Sequence, residues 1–148
     1  MEQFKLMKKI NITISGGLGR MGSLLIQKVK EDRSLNLSSV TEQRELKKNG
    51  ILFEKNSSQS LKKTNVIIDF TRPNCTSQIL KLATRLKKKV IIGTTGFNKK
   101  QQAEINKASK KIAILQSGNM SLGVNLMQYL SGILSEKILK EYSMEIHD

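Results

Sequence analysis

The chain has 148 residues, 38% of them apolar, which suits one domain with a proper core. A single cysteine, Cys75, excludes an internal disulfide and any cysteine-based zinc cluster; with one histidine, His147, a metal site would need a carboxylate cluster, and none occurs. A net charge of +14 raises nucleic-acid binding as an alternative, yet the lysines are scattered (Lys8-Lys9, Lys62-Lys63, Lys110-Lys111), aromatics are 4% and tryptophan is absent, which favours a solvated basic surface.

Residues 1–7 read as a disordered extension, too charged for a signal peptide, and no apolar run is long enough to cross a bilayer, so a cytoplasmic chain is expected. Ile10-Asn11-Ile12-Thr13-Ile14-Ser15 alternates like a strand, Gly16-Gly17-Leu18-Gly19-Arg20-Met21-Gly22 makes a turn, and residues 23–30 continue as a helix whose Leu24, Leu25 and Val29 can face a sheet. Gly17, Gly19 and Gly22 satisfy G-x-G-x-x-G, in which glycine lets the main chain approach a pyrophosphate and the new helix offers free N–H groups to the anion. A second strand covers residues 35–40, and twenty positions beyond Gly22 stands Glu42, the acid a ribose hydroxyl pair requires. The glycines alone could be an empty turn; strand, turn, helix and spaced acid together favour a dinucleotide site.

Residues 43–61 read as loop, with a short helical turn at 59–62. Asn65-Val66-Ile67-Ile68-Asp69-Phe70 is the continuous apolar run of a buried parallel strand, and a helix follows over 76–86 with Ile79, Leu80, Leu82, Ala83 and Leu86 on one side. Val90-Ile91-Ile92 is the next strand, Asn98 caps a helix to Ser109, and Ile112-Ala113-Ile114-Leu115 is a fifth strand. This alternation implies an α/β, Rossmann-like, doubly wound, mostly parallel sheet with ligands at the carboxyl ends of its strands. Those ends carry Asp69-Phe70-Thr71-Arg72-Pro73, Gly93-Thr94-Thr95-Gly96 and Ser117-Gly118-Asn119-Met120-Ser121. Each alone could be turn chemistry, but their convergence on one sheet edge favours a site whose main-chain groups hold a flat carboxamide ring.

Gly16 to Gly22, Ile68 to Pro73, Ile92 to Phe97 and Asn119-Met120-Ser121-Leu122-Gly123-Val124-Asn125 resemble, in order, the successive signatures of the dihydrodipicolinate reductase family, also called 4-hydroxy-tetrahydrodipicolinate reductase. The resemblance implies NADPH- or NADH-dependent reduction of a cyclic dicarboxylate, 4-hydroxy-tetrahydrodipicolinate, to tetrahydrodipicolinate on the diaminopimelate route to lysine. It implies that Gly16, Gly17, Leu18, Gly19, Arg20 and Met21 wrap the pyrophosphate and that Glu42 binds the adenosine ribose. Gly93, Thr94 and Thr95 would line the nicotinamide, Thr95 also near the substrate, while Ser117, Gly118, Asn119 and Met120 would hold the carboxamide. Two positions depart from the family: Gln43 stands where the family often has Arg, with Arg44 next, leaving cofactor preference open, and Met120 stands where Phe is common.

By the same resemblance, residues 8–120 are the dinucleotide-binding domain, and 121–148 begin an incomplete substrate and oligomerisation domain. That part starts with a long helix striped by Leu122, Leu126, Tyr129, Leu130, Ile133, Leu134 and Ile138, then the first strand from Tyr142 to Ile146. Unpartnered, the stripe should leave an apolar patch exposed or pair with another copy. The family's His-His-x-x-x-Lys segment, with its proton donor and carboxylate ligands, would fall just beyond Asp148. No catalytic residue is therefore expected within the chain, His147 being a solvated terminal side chain, and little turnover is expected from it alone. The family's tetramer is the implied assembly, and neither nucleic acid, membrane nor metal is an expected partner. The alternatives are a non-catalytic cofactor-sensing module and a basic nucleic-acid binder; Cys75 is read as packing at a helix start.

Overall fold

The computed structural model describes residues 8–138. In chain order the elements are β1 (Ile10–Ser15), α1 (Arg20–Glu31), β2 (Leu35–Glu42), β3 (Leu46–Lys48), β4 (Ile51–Lys55), β5 (Val66–Asp69), α2 (Pro73–Leu86), β6 (Lys89–Ile92), α3 (Lys99–Ser109), β7 (Ile114–Gln116) and α4 (Leu122–Ile138). They fall into two compact units divided between Ser117 and Gly118. None of the described helices is long and apolar enough to cross a membrane. The extension at 1–7, the strand expected from Tyr142 and His147 lie outside the described residues.

The first unit is an α/β fold on one sheet ordered β3-β4-β2-β1-β5-β6-β7. All pairs are parallel except β3 with β4. The strands step outward from β1 in both directions, so the order reverses between β1 and β5, where open α/β sheets leave a crevice beyond the strand ends.

The region expected as loop instead supplies β3 and β4. Asn49 and Gly50 both have positive φ, at 49° and 73°, the backbone a two-residue type I′ hairpin turn requires and asparagine and glycine tolerate. Lys47 and Lys48 then lie on the edge strand, where charge discourages pairing with another chain. The turn expected at 59–62 is present, closed by Lys62 N–H on the Gln59 carbonyl at 3.2 Å.

Two apolar cores hold the sheet. One gathers Ile12, Ile14, Ile26, Val29, Val40 and Phe53 from β1, β2, β4 and α1; the other joins β5 and β6 to α2 and α3 through residues including Ile67, Ile79, Leu80, Val90, Ile92 and Ile105. The face of α1 is built from Gly22, Ile26 and Val29 rather than from Leu24, which is 55% exposed. The cause is the helical period, which carries Leu24 about 200° away from Ile26. The alternating polar residues of β1 are not solvated: Thr13 and Ser15 are fully buried. Thr13 Oγ1 bonds the Ser39 hydroxyl at 2.8 Å and also the Thr64 hydroxyl, and Ser39 donates to the Ser60 carbonyl at 2.9 Å. This chain of hydroxyls satisfies Thr13 and Ser39, groups that burial would otherwise penalise, whereas Ser15 Oγ has no such partner.

At the start of α3, the Gln101 N–H donates to Asn98 Oδ1 at 2.9 Å and the Asn98 N–H to Gln101 Oε1 at 3.0 Å, a complete capping box. Asn98→Ala is expected to lower stability by about 1 kcal/mol, read as a lower urea midpoint at unchanged m-value. In the second unit α4 begins after Ser121, whose carbonyl accepts the Asn125 N–H at 3.1 Å, and its Leu122, Met127 and Tyr129 are exposed.

Candidate functional site

The ends of β1, β2, β4 and β5 converge around the glycine turn. Gly16 leaves β1 at φ +84°, and a Cβ there would sit 2.7 Å from the Phe70 carbonyl oxygen, so the turn closes against the end of β5 only with glycine. The Gly19 N–H donates to the Gly16 carbonyl at 3.1 Å, and α1 starts at the next residue with no side chain capping it. The first N–H groups of α1 are therefore left for solvent or an anion. α2, beginning at Pro73 after Arg72, is likewise without a side-chain cap.

Glu42 closes β2 beside this turn. Its Oε1 accepts the Leu18 N–H at 2.8 Å, which ties the acid at the second strand end to the glycine turn after the first. Two clefts adjoin here. One, of about 390 Å³, is lined by Gly16, Leu18, Gly19, Glu42 and Thr71; the other, of about 780 Å³, by Glu42, Lys55, Asn56, Arg72 and Cys75. Asn56 Oδ1 and Ser15 Oγ are buried oxygens without a hydrogen-bond partner, on residues that line these clefts. Such orphaned atoms cost stability unless a ligand or water meets them.

Asp69, at the end of β5, organises the next two strand ends. It is fully buried; Oδ1 accepts the Thr71 hydroxyl and Oδ2 the Thr76 hydroxyl, both at 2.6 Å, with the Thr94 hydroxyl 3.4 Å from Oδ2. The Thr71 N–H donates to Thr94 Oγ1 at 2.9 Å and the Gly93 N–H to the Asp69 carbonyl at 2.9 Å. Burial pushes the Asp69 carboxyl above its ordinary range, and the hydroxyls donating to it oppose that shift without cancelling it. Half-buried Cys75 has its thiol raised by burial first and by the Asp69 charge second, the opposite of an activated nucleophile.

Of the residues singled out in the sequence, Gly16, Leu18, Gly19 and Glu42 share one cleft, and Gly17 is buried against Val40, Phe53 and Ile26. Arg20 and Met21 open α1 and are exposed. Gly93, Thr94 and Thr95 follow β6, with Thr94 buried and Thr95 exposed; they line neither cleft, and Thr94 alone is bonded to Thr71, which lines the smaller one. Ser117 follows β7 and donates its N–H to the Ile92 carbonyl at 3.1 Å. Gly118, Asn119 and Met120 open the second unit, where Asn119 Oδ1 accepts the Ser121 N–H at 2.9 Å. Lys55 and Asn56, at and after the end of β4, also line the larger cleft; the sequence signal for them is the Asn49-Gly50 pair that turns β3 into β4.

Comparison with known proteins bears on this geometry. The family model described as "Dihydrodipicolinate reductase, N-terminus" matches residues 10–120. The chain is 53% identical over 144 residues to a 4-hydroxy-tetrahydrodipicolinate reductase of Pelagibacter ubique (strain HTCC1062), covering 96% of this chain and 56% of that one. It is 36% identical over 159 residues to the enzyme of the same name from Buchnera aphidicola subsp. Baizongia pistaciae (strain Bp), covering 95% and 57%. The chain thus spans about half the length of the curated relatives it matches. Among solved structures, a dipicolinate-bound dihydrodipicolinate reductase from Paenisporosarcina sp. TG-14 superposes with a TM-score of 0.71 at 20% identity, over 86% of this chain and 54% of that one. A Rex-family repressor superposes with a TM-score of 0.59 at 13% identity, over 90% and 63%. At those identities the superpositions show the shared fold.

Proposed function

Starting from the fact that the chain belongs to the dihydrodipicolinate reductase family, through residues 10–120, we propose that its first unit holds NADPH or NADH for the reduction of 4-hydroxy-tetrahydrodipicolinate. In this reading the domain boundary lies near residue 120, and the part from 121 onward opens the substrate and oligomerisation domain. The dicarboxylate substrate and the tetramer belong to the proposal for the protein as a whole. We assign no catalytic acid to residues of this chain. When bound, the dinucleotide supplies hydride; the chain's own residues bind and orient it.

The observation that carries the proposal is the 2.8 Å bond from the Leu18 N–H to Glu42 Oε1, which sets a carboxylate beside a glycine turn at the reversal of the strand order. The turn's missing Cβ atoms, the uncapped α1 amides and the orphaned Asn56 Oδ1 and Ser15 Oγ fit a polyanionic, hydroxyl-rich ligand. Gly16, Gly17, Leu18, Gly19, Arg20 and Met21 would meet the pyrophosphate, and Glu42 would accept bonds from the ribose hydroxyls. Gly93, Thr94 and Thr95 would line the nicotinamide, with Thr95 also near the substrate. Ser117, Gly118, Asn119 and Met120 would hold the carboxamide.

Calorimetric titration tests this. The chain is expected to bind NADH or NADPH, and Glu42→Ala to weaken binding by roughly tenfold or more, the worth of a charge-assisted bond pair to the sugar. Absence of heat with both dinucleotides would overturn the proposal. A nucleic-acid binder would instead show salt-sensitive retention on DNA or RNA without dinucleotide binding.

A further inference from the structure

Away from the strand ends, α2 and α3 flank a cavity of about 380 Å³. Its floor is apolar, because the two helices meet there over Leu80 and Ala108, both buried in the core that they share. Its walls are polar. Ser77, Lys81 and Thr84 stand at i, i+4 and i+7 of α2 and line one side; Glu104 and Lys107 on α3, with Lys111 in the turn after it, line the other. That turn is closed by the Lys111 N–H on the Ala108 carbonyl at 2.8 Å, which keeps Lys111 beside Lys107. Lysines far apart in the sequence thus gather at one place, and none of these residues lines either cleft at the strand ends.

Three positive charges gathered around one negative charge repel one another. Glu104 precedes Lys107 by one helical turn, a spacing at which carboxylate and ammonium ordinarily pair, yet the one ion pair among the described residues is Lys28 with Glu31. Nor do the side chains of Ser77, Lys81, Thr84, Lys107 and Lys111 hydrogen-bond within those residues, although a hydroxyl inside a helix commonly turns back to a carbonyl of the preceding turn. We infer that this cavity is a site for a compact polyvalent anion, phosphate- or carboxylate-bearing, held by ammoniums from both walls and oriented by the two hydroxyls. An ammonium on a flexible stem acts as a point charge, which suits such an anion without demanding one geometry. The cavity has the size of a small-molecule site, and with no aromatic side chain lining it, it offers a nucleic-acid strand nothing to stack on. Glu104 opposes the anion and so limits how tightly it is held. Dinucleotide binding at the strand ends neither requires nor precludes it.

The test follows backbone amide shifts of the 148-residue chain by NMR as tripolyphosphate or citrate is added at physiological ionic strength. Lys81→Gln, Lys107→Gln and Glu104→Gln are compared with Lys30→Gln, an exposed lysine on α1, which packs on the other face of the sheet. Shifts are expected to cluster at residues 77–84 and 104–111. Removing either ammonium should weaken binding by roughly three- to tenfold, and removing the Glu104 charge should tighten it by about two- to threefold, both effects shrinking in high salt. Lys30→Gln should change it by less than about twofold, within the range of surface substitutions. Binding of either probe at these residues supports the site, and the tighter of the two names the charged group. No shift with either probe, shifts spread over the whole basic surface, a Lys30→Gln loss equal to that of Lys107→Gln, or a Glu104→Gln chain that binds like its parent would each overturn the inference. So would shifts confined to the glycine turn, or a single-stranded DNA held through the same lysines more tightly than either probe.

Discussion

Gly22→Ala is expected to destabilise the first unit by about 3 kcal/mol or more and to abolish measurable dinucleotide binding. Helix propensity points the other way, since alanine is favoured over glycine within a helix by about 1 kcal/mol, and Gly22 lies in α1. Packing decides the sign. A Cβ at Gly22 would stand 2.0 Å from the Gly16 carbonyl oxygen and 2.7 Å from both the Gly16 carbonyl carbon and the Gly17 Cα. These are backbone atoms of the turn, so no rotamer change relieves the clash; the turn and the helix must separate. The separation would move the Gly16 carbonyl away from the Gly19 N–H and the α1 amides away from the cleft. Gly132→Ala in α4, where an added Cβ meets nothing within 4 Å, is the matched control. It should be neutral or slightly stabilising, following propensity alone. Urea midpoints and calorimetry on both variants check this, and a Gly22→Ala chain that folds and binds like its parent would show that the turn is not closed as described.

The same close approach explains what was legible in the sequence. Strand, glycine turn, helix and the acid at Glu42 are local patterns with one steric cause, and the structure returns them joined by the Leu18 to Glu42 bond. Parallel strands such as β5 and β6 announce themselves by the unbroken apolar runs Val66-Ile67-Ile68 and Val90-Ile91-Ile92. The β3 and β4 hairpin was harder to see, because Leu46–Lys48 has too few residues to establish a period of two, and only the dihedral demands of Asn49 and Gly50 mark it. Missing β4 also hid Lys55, whose place beside Glu42 depends on strand order rather than on spacing. Asp69 lies in the Asp69-Phe70-Thr71-Arg72-Pro73 segment that closes β5, yet its role as a node joining Thr71, Thr76 and Thr94 depends on contacts between three separate elements and loops. No one-dimensional pattern carries such a node.

Asp69→Ala is expected to cost about 2–4 kcal/mol, from a small cavity and from buried hydroxyls left without their acceptor. The more discriminating result concerns pH. Burial raises the Asp69 carboxyl in the folded chain, while the unfolded chain titrates it near about 3.9. The folded state therefore holds this proton more tightly. Its contribution to stability is full below the unfolded value and is lost as pH rises through the folded one. Asp69→Asn cannot titrate there, so its stability relative to the parent should climb across that window and level off above it. The Asn oxygen can still accept one threonine hydroxyl, but the amide nitrogen forces the other to turn, which loosens the Thr71 to Thr94 link without opening a cavity. NADH should then weaken more than 5′-AMP, because the link holds Thr94 at the strand end proposed for the nicotinamide, while the Leu18 to Glu42 bond is not part of it. Urea melts of parent and Asp69→Asn over a pH series, with both titrations at neutral pH, decide it. Parallel pH curves would mean that Asp69 is not the buried titrating group, and equal losses of NADH and 5′-AMP would mean that the node braces the whole edge rather than one side of it.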